Sequence, residues 1–261
     1  MIGHPVAVFD SGLGGLTVLR ALRDRLPNED FFYFADTRFL PYGDRPEIFL
    51  RERGVLIAQA LVRRGAKALV IACNTATAAA AEAIRAAVDL PIVALEPGVK
   101  PAVALSKSGV VGVLATTRTL QSERFQRLVG NHAHQHQVIA QTCPGLAEAI
   151  ESLGPESPEI GHLLDTFVQP LAAAGADVVV LGCTHYPWVA EGIARRMPPG
   201  TTLLDTGEAV AKQLERVLVA GGLLGAGSGL LTMATSGAPQ QAIITVDRLF
   251  GAKIHVEHWE P

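Results

Sequence analysis

The fold is decided by one segment that occurs twice, as GAKALVIACNTAT at residues 65–77 and as GADVVVLGCTHYP at residues 175–187. Each copy is an apolar run that ends at a cysteine, Cys73 or Cys183, and continues into a polar segment that can start a helix. A short apolar run bounded by glycine and polar residues is typical of a buried strand. We therefore expect each thiol at the carboxyl end of a strand and at the beginning of a helix.

The repetition extends beyond the cysteines. VAVFDSG at 6–12 resembles VGVLATT at 111–117, and each lies at a similar distance before its cysteine. Buried strands rich in Val, Ile and Ala resemble one another by composition, but the shared Gly-Ala opening and the polar residues after each cysteine favour a duplication. Its period is longer than the roughly 20–50 residues of a solenoid repeat. The pattern predicts two whole α/β lobes.

Composition limits the class of protein. The chain has 261 residues, of which 49% are hydrophobic, and a formal net charge of −3. This supplies a sizeable core and no basic patch for nucleic acid or an anionic membrane. Three cysteines in a chain of this length do not form a disulfide framework. With the apolar run Pro5–Phe9 so close to Met1, we expect no signal peptide and a cytoplasmic protein with a small-molecule substrate.

Short apolar runs alternate with helical patterns along the chain. Strands are predicted at 5–9, 31–35, 67–72, 92–95, 110–115, 137–141, 177–182, 201–204, 230–236 and 253–257. Helices are predicted at 14–26, 46–64, 75–88, 97–107, 119–130, 145–152, 157–174, 188–196, 208–220 and 239–250. This order predicts an α/β fold of two pseudo-symmetric lobes, each a mostly parallel sheet flanked by helices. We expect lobes at 1–97 with 208–261 and at 98–207, with the active site between them.

One stretch resembles a membrane span, because 217–245 has no charged residue. Five glycines lie in it, at 221, 222, 225, 227 and 229. Each interior glycine costs a helix about 1 kcal/mol relative to alanine. The stretch is therefore interpreted as the end of a helix, a glycine-rich turn and a strand, and no membrane association is expected.

The cysteine segments suggest acid–base chemistry. A thiol at a helix N-terminus meets unpaired amides and the positive end of the helix dipole, which favour the thiolate. Thr75 and Thr77 are predicted caps after Cys73, as Thr184 is after Cys183, and His185 is close enough to exchange protons with Cys183. The alternative is that both cysteines are inert core residues, since free cysteine is often buried. Two copies in the same polar context favour the reactive interpretation.

Two further strand ends carry candidate ligands. Asp10 and Ser11 follow the first strand, where an exposed carboxylate would act on a second proton or bind an ammonium group; its alternative is an N-cap. Pro41, Tyr42 and Gly43 lie in a polar loop at 36–45 whose glycine lets backbone amides approach a carboxylate, although a simple turn has the same composition. The glycines after Asp10 do not form a dinucleotide-binding fingerprint, because its last glycine position is Thr17.

The third cysteine and a histidine cluster are expected to have no catalytic role. Cys143 precedes Pro144 without a polar, helix-starting context, so it is predicted to be structural. His132, His134 and His136 alternate in a way that could bind a metal on an extended strand. No cysteine or acidic partner lies in that run, so we expect a solvated connection and no metal site.

Five blocks of the chain resemble the signature blocks of the glutamate racemase family. They are FDSGLGGLTVL at 9–19, PYG at 41–43, ACNTATA at 72–78, VGVLATTRTLQS at 111–122 and VVLGCTHYP at 179–187, and TSGAP at 235–239 matches more weakly. The resemblance implies two α/β domains with substrate between them, a cofactor-independent conversion of L-glutamate to D-glutamate for peptidoglycan, and a homodimer. Phe125 stands where the family usually has tyrosine, and Ala238 where an acidic residue is common.

The same resemblance implies a role for each matched residue. Cys73 and Cys183 would be the acid/base pair on opposite faces of the substrate Cα, with Asp10 and His185 assisting. Glu151, in the loosely matching LAEAIE, would be a further assisting carboxylate. The implied substrate-binding residues are Asp10, Ser11, Pro41, Tyr42, Gly43, Asn74, Thr75, Thr116, Thr184 and His185.

Three alternatives remain open from the sequence. A related racemase for aspartate or a hydantoin would keep both cysteines, whereas a decarboxylase or isomerase of the same superfamily would use one. A non-enzymatic role in binding DNA gyrase is a third possibility; the family members with that role typically use an N-terminal extension that this sequence lacks. No arginine at a matched position separates glutamate from aspartate on physical grounds, so the choice of substrate rests on resemblance.

Overall fold

The computed structural model describes residues 4–261, so Met1, Ile2 and Gly3 of the predicted first lobe lie outside the described residues. The described residues form two compact units, one of residues 4–95 and 207–261 and the other of 96–206. Each unit is a parallel sheet with helices, and the predicted α/β class is confirmed. The division into two lobes at 97/98 and 207/208 stays a prediction.

The first unit is built on a six-stranded parallel sheet. Its strands are β1 (Val6–Asp10), β2 (Phe31–Ala35), β3 (Ala68–Ile71), β4 (Ile92–Ala94), β9 (Leu231–Thr235) and β10 (Val256–His258), in the order β10-β9-β2-β1-β3-β4. Its helices are α1 (Leu16–Arg25), α2 (Glu47–Arg63), α3 (Asn74–Ala87), α10 (Gly207–Ala220) and α11 (Pro239–Phe250). The central strand β1 is buried at every position because it is hydrogen-bonded on both edges and covered on both faces.

The second unit repeats the middle of this arrangement with four strands. They are β5 (Val110–Ala115), β6 (Gln137–Thr142), β7 (Val178–Gly182) and β8 (Thr202–Leu204), in the order β6-β5-β7-β8. Its helices are α4 (Val99–Leu105), α5 (Thr117–Gln121), α6 (Glu123–His132), α7 (Leu146–Leu153), α8 (Pro158–Ala173) and α9 (Ala190–Ala194). The order β2-β1-β3-β4 in the first unit corresponds strand for strand to β6-β5-β7-β8 in the second. The duplicated sequence segments therefore occupy corresponding strands.

The structure differs from the sequence prediction at three elements. The helix predicted at 119–130 is two helices, because Ser122 is extended and its hydroxyl caps α6 by accepting the N–H of Phe125 at 3.1 Å. The helix predicted at 188–196 begins as a 3-10 helix, Tyr186–Val189, before the short α9. The strand predicted at 253–257 is β10, which begins at Val256.

The uncharged stretch at 217–245 divides as predicted into the end of α10, a glycine-rich connection and β9. Glu29 and Asp30 hold the connection: Glu29 accepts the N–H of Gly225 and pairs with Lys67, and Asp30 accepts the N–H of Leu230. Across the described part of the chain, every helix is too short or too polar to cross a bilayer.

Candidate active site

In each unit the polar motifs gather at the carboxyl edge of the sheet. In the first unit β1 lies between β2 and β3, so Asp10 stands beside Ala35 and near the end of β3 that leads to Cys73. In the second, β5 lies between β6 and β7, and Ala115 stands beside Gly182, the residue before Cys183. This edge is where parallel α/β sheets bind ligands.

Asp10 is fully buried, so the exposed carboxylate expected from the sequence is wrong. Its Oδ1 accepts the N–H of Ser11 at 2.7 Å and its Oδ2 accepts the N–H of Gly15 at 2.6 Å. The Tyr33 hydroxyl lies 3.2 Å from Oδ2. The carboxylate is enclosed because the turn into α1 folds over the end of β1. It therefore fixes the turn that carries Ser11, although Gly15 and not Asp10 is the N-cap residue of α1.

Cys73 is itself the N-cap of α3. Its Sγ accepts the N–H of Ala76 at 3.3 Å and lies 3.4 Å from the Ser11 hydroxyl. The predicted caps Thr75 and Thr77 are wrong, because α3 begins at Asn74 and includes both. The sulfur takes the place of a capping oxygen at the positive end of a 14-residue helix. Its surroundings therefore favour the thiolate.

Asn74 and Thr75 follow Cys73 in the first turn of α3 and are buried. Asn74 Oδ1 has no hydrogen-bond partner within residues 4–261. A buried amide oxygen without a donor is costly. This acceptor is suited to the ammonium or another donor of a polar ligand.

The loop at 36–45 contains two 3-10 turns, Thr37–Phe39 and Tyr42–Asp44, and a cis peptide bond before Pro41. Tyr42 is buried and its hydroxyl donates to Asp36 Oδ2 at 2.6 Å. Asp36 is fully buried and accepts two hydrogen bonds from one edge of the Arg53 guanidinium. Sequence reasoning missed Asp36 and Arg53. The position of Asp36, directly after β2, is the signal by which it could have been found.

Cys183, His185 and Glu151 form a chain of contacts in the second unit. Cys183 Sγ lies 3.6 Å from His185 Nδ1, and His185 Nε2 lies 2.6 Å from Glu151 Oε1. The predicted assisting carboxylate from the loosely matching helix thus contacts the imidazole. A 3-10 helix begins at Tyr186 with His185, and not Thr184, at its N-cap. Thr184, the residue after Cys183 in the sequence, is buried.

The surroundings of His185 favour its charged form. Burial by itself would lower the pKa of the imidazole, but hydrogen bonds to Cys183 and Glu151, together with their negative charges, outweigh it and raise the pKa well above the usual range. A protonated imidazole beside Cys183 stabilises a thiolate and can return a proton to it.

Thr116 follows β5, the strand that corresponds to β1, and is the N-cap of α5. Its Oγ1 accepts the N–H of Thr119 at 3.3 Å and lies 2.9 Å from the Thr119 hydroxyl. Thr116 is partly exposed at the same sheet edge as Cys183. A hydroxyl in this position can contribute to binding a polar substrate.

Cys143 and the histidine cluster have no part in the chain of contacts from Cys183 to Glu151, although Cys143 follows β6 at the same sheet edge and its carbonyl oxygen accepts from the Tyr186 hydroxyl at 3.5 Å. Burial raises the pKa of Cys143 to about 12, which keeps its thiol protonated at neutral pH. His132 ends α6, and His134 and His136 lie in the connection to β6. Among residues 4–261 no three His, Cys, Asp or Glu side chains are grouped to hold a metal ion.

The Asp/Glu/Hydantoin racemase family model matches residues 21–214 of this chain. The chain is 53% identical over 215 residues to a glutamate racemase of Ectopseudomonas mendocina, covering 82% of both proteins. The chain belongs to the glutamate racemase family. Members of that family with solved structures share its fold: glutamate racemase isoform RacE1 from Bacillus anthracis has a TM-score of 0.90 and 29% identity over 98% of each chain. The glutamate racemase of Escherichia coli, solved with L-glutamate and an activator, UDP-MurNAc-ala, has a TM-score of 0.86 and 30% identity, covering 98% of this chain and 97% of that one.

Proposed function

We propose that this protein racemises glutamate without a cofactor, using Cys73 and Cys183 as the two acid/base groups. The observation that carries the proposal is the pair of thiols in corresponding positions of two duplicated sheets, each with a partner that stabilises its thiolate. The family membership and the L-glutamate named for the E. coli relative support glutamate as the substrate.

Inversion of a stereocentre without redox chemistry needs one group to remove the Cα proton and another to deliver a proton to the opposite face. A two-thiol mechanism therefore requires one cysteine as thiolate and the other as thiol at the start of each turnover. After proton transfer their states are exchanged, and the product is the other enantiomer. In one direction of the reaction Cys73 is the base and Cys183 the acid, and in the reverse direction the roles are exchanged.

The helpers differ between the two sulfurs. Near Cys73 the Ala76 N–H and the Ser11 hydroxyl stabilise negative charge, and Asp10 fixes the turn that holds Ser11. Near Cys183 the His185 imidazolium stabilises the thiolate and exchanges a proton with it, and Glu151 orients and charges the imidazole. We assign Asp10 and Glu151 as positioning residues in this scheme.

Substrate binding is assigned to the polar groups at the two sheet edges. The Cα proton of an amino acid is weakly acidic, so donors around the α-carboxylate must stabilise the charge that develops as the proton leaves. The proposed substrate-binding residues are Ser11, Pro41, Tyr42, Gly43, Asn74, Thr75, Thr116, Thr184 and His185, and Asp10 contributes through the turn that it fixes. Asn74 Oδ1, a buried acceptor in need of a donor, is suited to the ammonium group.

We further infer that the enzyme works as a homodimer in the cytoplasm and supplies D-glutamate for peptidoglycan. These inferences rest on the family resemblance alone. Sedimentation of the purified protein tests the dimer, and complementation of a D-glutamate auxotroph tests the biological role.

The decisive experiment follows circular dichroism of L-glutamate incubated with the purified protein after exhaustive dialysis. The signal should decay to zero as the racemic mixture forms, and D-glutamate should give the mirror-image curve. L-aspartate in a parallel reaction is the specificity control. Faster turnover of aspartate would reject the glutamate assignment, and no turnover of either amino acid would reject racemisation.

A further inference from the structure

Arg53, which neither the sequence motifs nor the proposed mechanism uses, lies almost buried in α2 with 9% of its side chain exposed. Its Nε donates to Asp36 Oδ2 at 2.9 Å and its Nη2 donates to Asp36 Oδ1 at 2.7 Å. Asp36 is completely buried. The two parallel hydrogen bonds fix the carboxylate in both position and rotation, which a single ammonium group cannot do.

Asp36 in turn fixes the position of the Tyr42 hydroxyl. The Tyr42 hydroxyl donates to Asp36 Oδ2, the oxygen that also accepts from Arg53 Nε. Burial, followed by the negative charge of Asp36 and the hydrogen bond to it, raises the pKa of Tyr42 well above its usual range. The phenol therefore keeps its proton and remains a donor. Because Tyr42 belongs to the Pro41–Gly43 motif, the end of the loop is attached to the same carboxylate as its beginning.

Arg53 also contacts the middle of the loop. Its guanidinium lies 4.6 Å from the centre of the Phe39 ring, and the Phe39 N–H donates to the Asp36 carbonyl at 3.1 Å. A planar guanidinium can stack on an aromatic face while its fork binds a carboxylate. One side chain thus holds the loop at Asp36 and Phe39 directly and at Tyr42 through Asp36.

The loop held in this way adjoins one of the two proposed catalytic thiols. Tyr42 and Cys73 belong to the same buried cluster of the first unit, and the 3-10 turn Tyr42–Asp44 packs against α3, which Cys73 caps. The Tyr42 ring also packs edge-on against Phe9, the residue before Asp10, with 6.3 Å between ring centres. A displacement of Tyr42 would therefore move the backbone amides of Tyr42 and Gly43 relative to Cys73.

We propose that Arg53 is a positioning residue for the substrate loop 36–45. Through its contacts with Asp36 and Phe39, it holds this loop in the conformation that binds the substrate carboxylate. The inference rests on the proposed function, because it takes the amides of Tyr42 and Gly43 as carboxylate ligands. Arg53 touches no reacting atom and acts through the loop. Glu260 adds an outer contact, 3.8 Å from Arg53 Nη2 and 2.7 Å from Arg38 Nη1.

The test compares Arg53→Met with Arg51→Met. Arg51 is a matched control because it lies in the same helix and also forms an ion pair, with Glu47, but both partners are at least half exposed. For Arg53→Met we expect KM for glutamate to rise about tenfold or more, with a smaller change in kcat, since misplacing a binding group weakens substrate binding. Calorimetric titration of L-glutamate should show the same loss of affinity. Arg51→Met should match the wild type in both measurements.

Two further variants separate positioning from folding. Arg53→Lys keeps the charge but not the bidentate fork, so its KM should lie between those of the wild type and Arg53→Met. Tyr42→Phe keeps the buried Arg53–Asp36 pair and removes only the hydroxyl, so the protein stays folded, and its KM should rise by about two- to tenfold. In the Tyr42→Phe background, Arg53→Lys should raise KM by a smaller factor than it does in the wild type, because both changes act through the contact between Asp36 and Tyr42.

An unchanged KM in folded Arg53→Lys and Tyr42→Phe, even with a lowered melting temperature, would overturn the inference and leave Arg53 a structural residue. A wild-type protein that binds and racemises no glutamate would instead reject the proposed function. The two failures are therefore distinguished by the wild-type assay alone.

Discussion

Cys73 and Cys183 follow corresponding strands of two sheets with the same strand order, yet their sulfurs have different neighbours. Cys73 caps a long helix, accepts a backbone N–H and contacts the Ser11 hydroxyl. Cys183 precedes a short 3-10 helix and contacts His185, which is bound to Glu151. The two units place their thiols at corresponding strand ends, whereas the groups that can stabilise the charge of each thiol differ.

This difference has a chemical consequence for a reversible reaction. Backbone amides and a hydroxyl stabilise the Cys73 thiolate by fixed dipoles, which do not titrate in the physiological range. An imidazole stabilises the Cys183 thiolate only while it is protonated. The environment of Cys183 should therefore depend on pH through His185, and that of Cys73 should not.

The largest expected effect comes from removing either thiol. Cys73→Ser and Cys183→Ser should each lower the racemisation rate by about a thousandfold or more, because serine is a far weaker acid and base. In deuterated water each variant should still exchange the Cα proton of one enantiomer, and the enantiomer should differ between the two. Proton NMR of the recovered glutamate measures this.

Cys143→Ala is the matched control for both variants, because this third cysteine is buried with a pKa of about 12 and has no assigned role. It should racemise glutamate close to the wild-type rate. Two-way racemisation at full rate by either serine variant would refute the two-thiol scheme.

The second effect tests the titrating side of the comparison. Glu151→Gln keeps a polar partner for His185 but removes the negative charge that helps raise the pKa of the imidazole. The pKa of His185 should fall, so the limb of the pH–rate profile that reports loss of its proton should move to lower pH. At neutral pH kcat/KM should decrease roughly tenfold, part of the usual contribution of general acid–base catalysis.

The same variant should change how stability depends on pH. A raised folded-state pKa means that the stabilisation from protonated His185 is fully present below the unfolded value of about 6.5. It is lost as pH rises through the raised pKa. Urea unfolding at several pH values should show this decline in the wild type and a weaker one in Glu151→Gln. The control is Glu156→Gln, an exposed residue shortly after α7, and an identical profile in all three proteins would contradict the role of Glu151.

The third effect concerns the residue before each cysteine, which is Ala72 in one unit and Gly182 in the other. A Cβ at Gly182 would lie 2.9 Å from both the Ala115 Cβ and the Leu114 carbonyl oxygen. In the first unit the residue before the cysteine is Ala72, which has a methyl group. The residue that packs against this methyl group is Gly15, which has none. Gly182→Ala should therefore lower the free energy of unfolding by about 1–3 kcal/mol.

Differential scanning calorimetry checks this change. The control is Gly130→Ala, in helix α6, where an added Cβ would meet nothing within 4 Å and should stabilise by about 0.5–1 kcal/mol. If Gly182→Ala were as stable as Gly130→Ala, the close approach of β7 to β5 would not constrain this position.

The smallest effect is expected from Ser11→Ala, which removes the hydroxyl 3.4 Å from Cys73 Sγ. Loss of this one donor to the Cys73 sulfur should lower kcat/KM about two- to tenfold. With Cys143 and Cys183 replaced by alanine, alkylation of Cys73 by iodoacetamide should shift to higher pH. With Cys73 and Cys143 replaced instead, the pH dependence of Cys183 alkylation should be unchanged by Ser11→Ala. A change in that pH dependence would contradict separate stabilisation of the two thiols.

Most strands were predictable to within one or two residues, because their buried apolar runs are bounded by glycine and polar residues. The helix that divides at Ser122 was not, since TRTLQSERF has helical periodicity on both sides of the break. Asp10 was placed correctly at the end of β1, but its burial was missed. Enclosure of a carboxylate depends on how the turn at 11–15 folds back, which the local pattern does not specify.

The sequence by itself determined the duplication, the α/β class and the positions of the two thiols at strand ends, because these depend on short apolar runs and their neighbours along the chain. Only the tertiary structure decided which distant side chains meet them. Glu151 meets His185 across 34 positions, and Arg53 meets Asp36 across 17. Helical periodicity in the sequence predicts which face of α7 or of α2 is buried. The contact that a side chain on that face makes is fixed by the packing of the whole helix against its sheet.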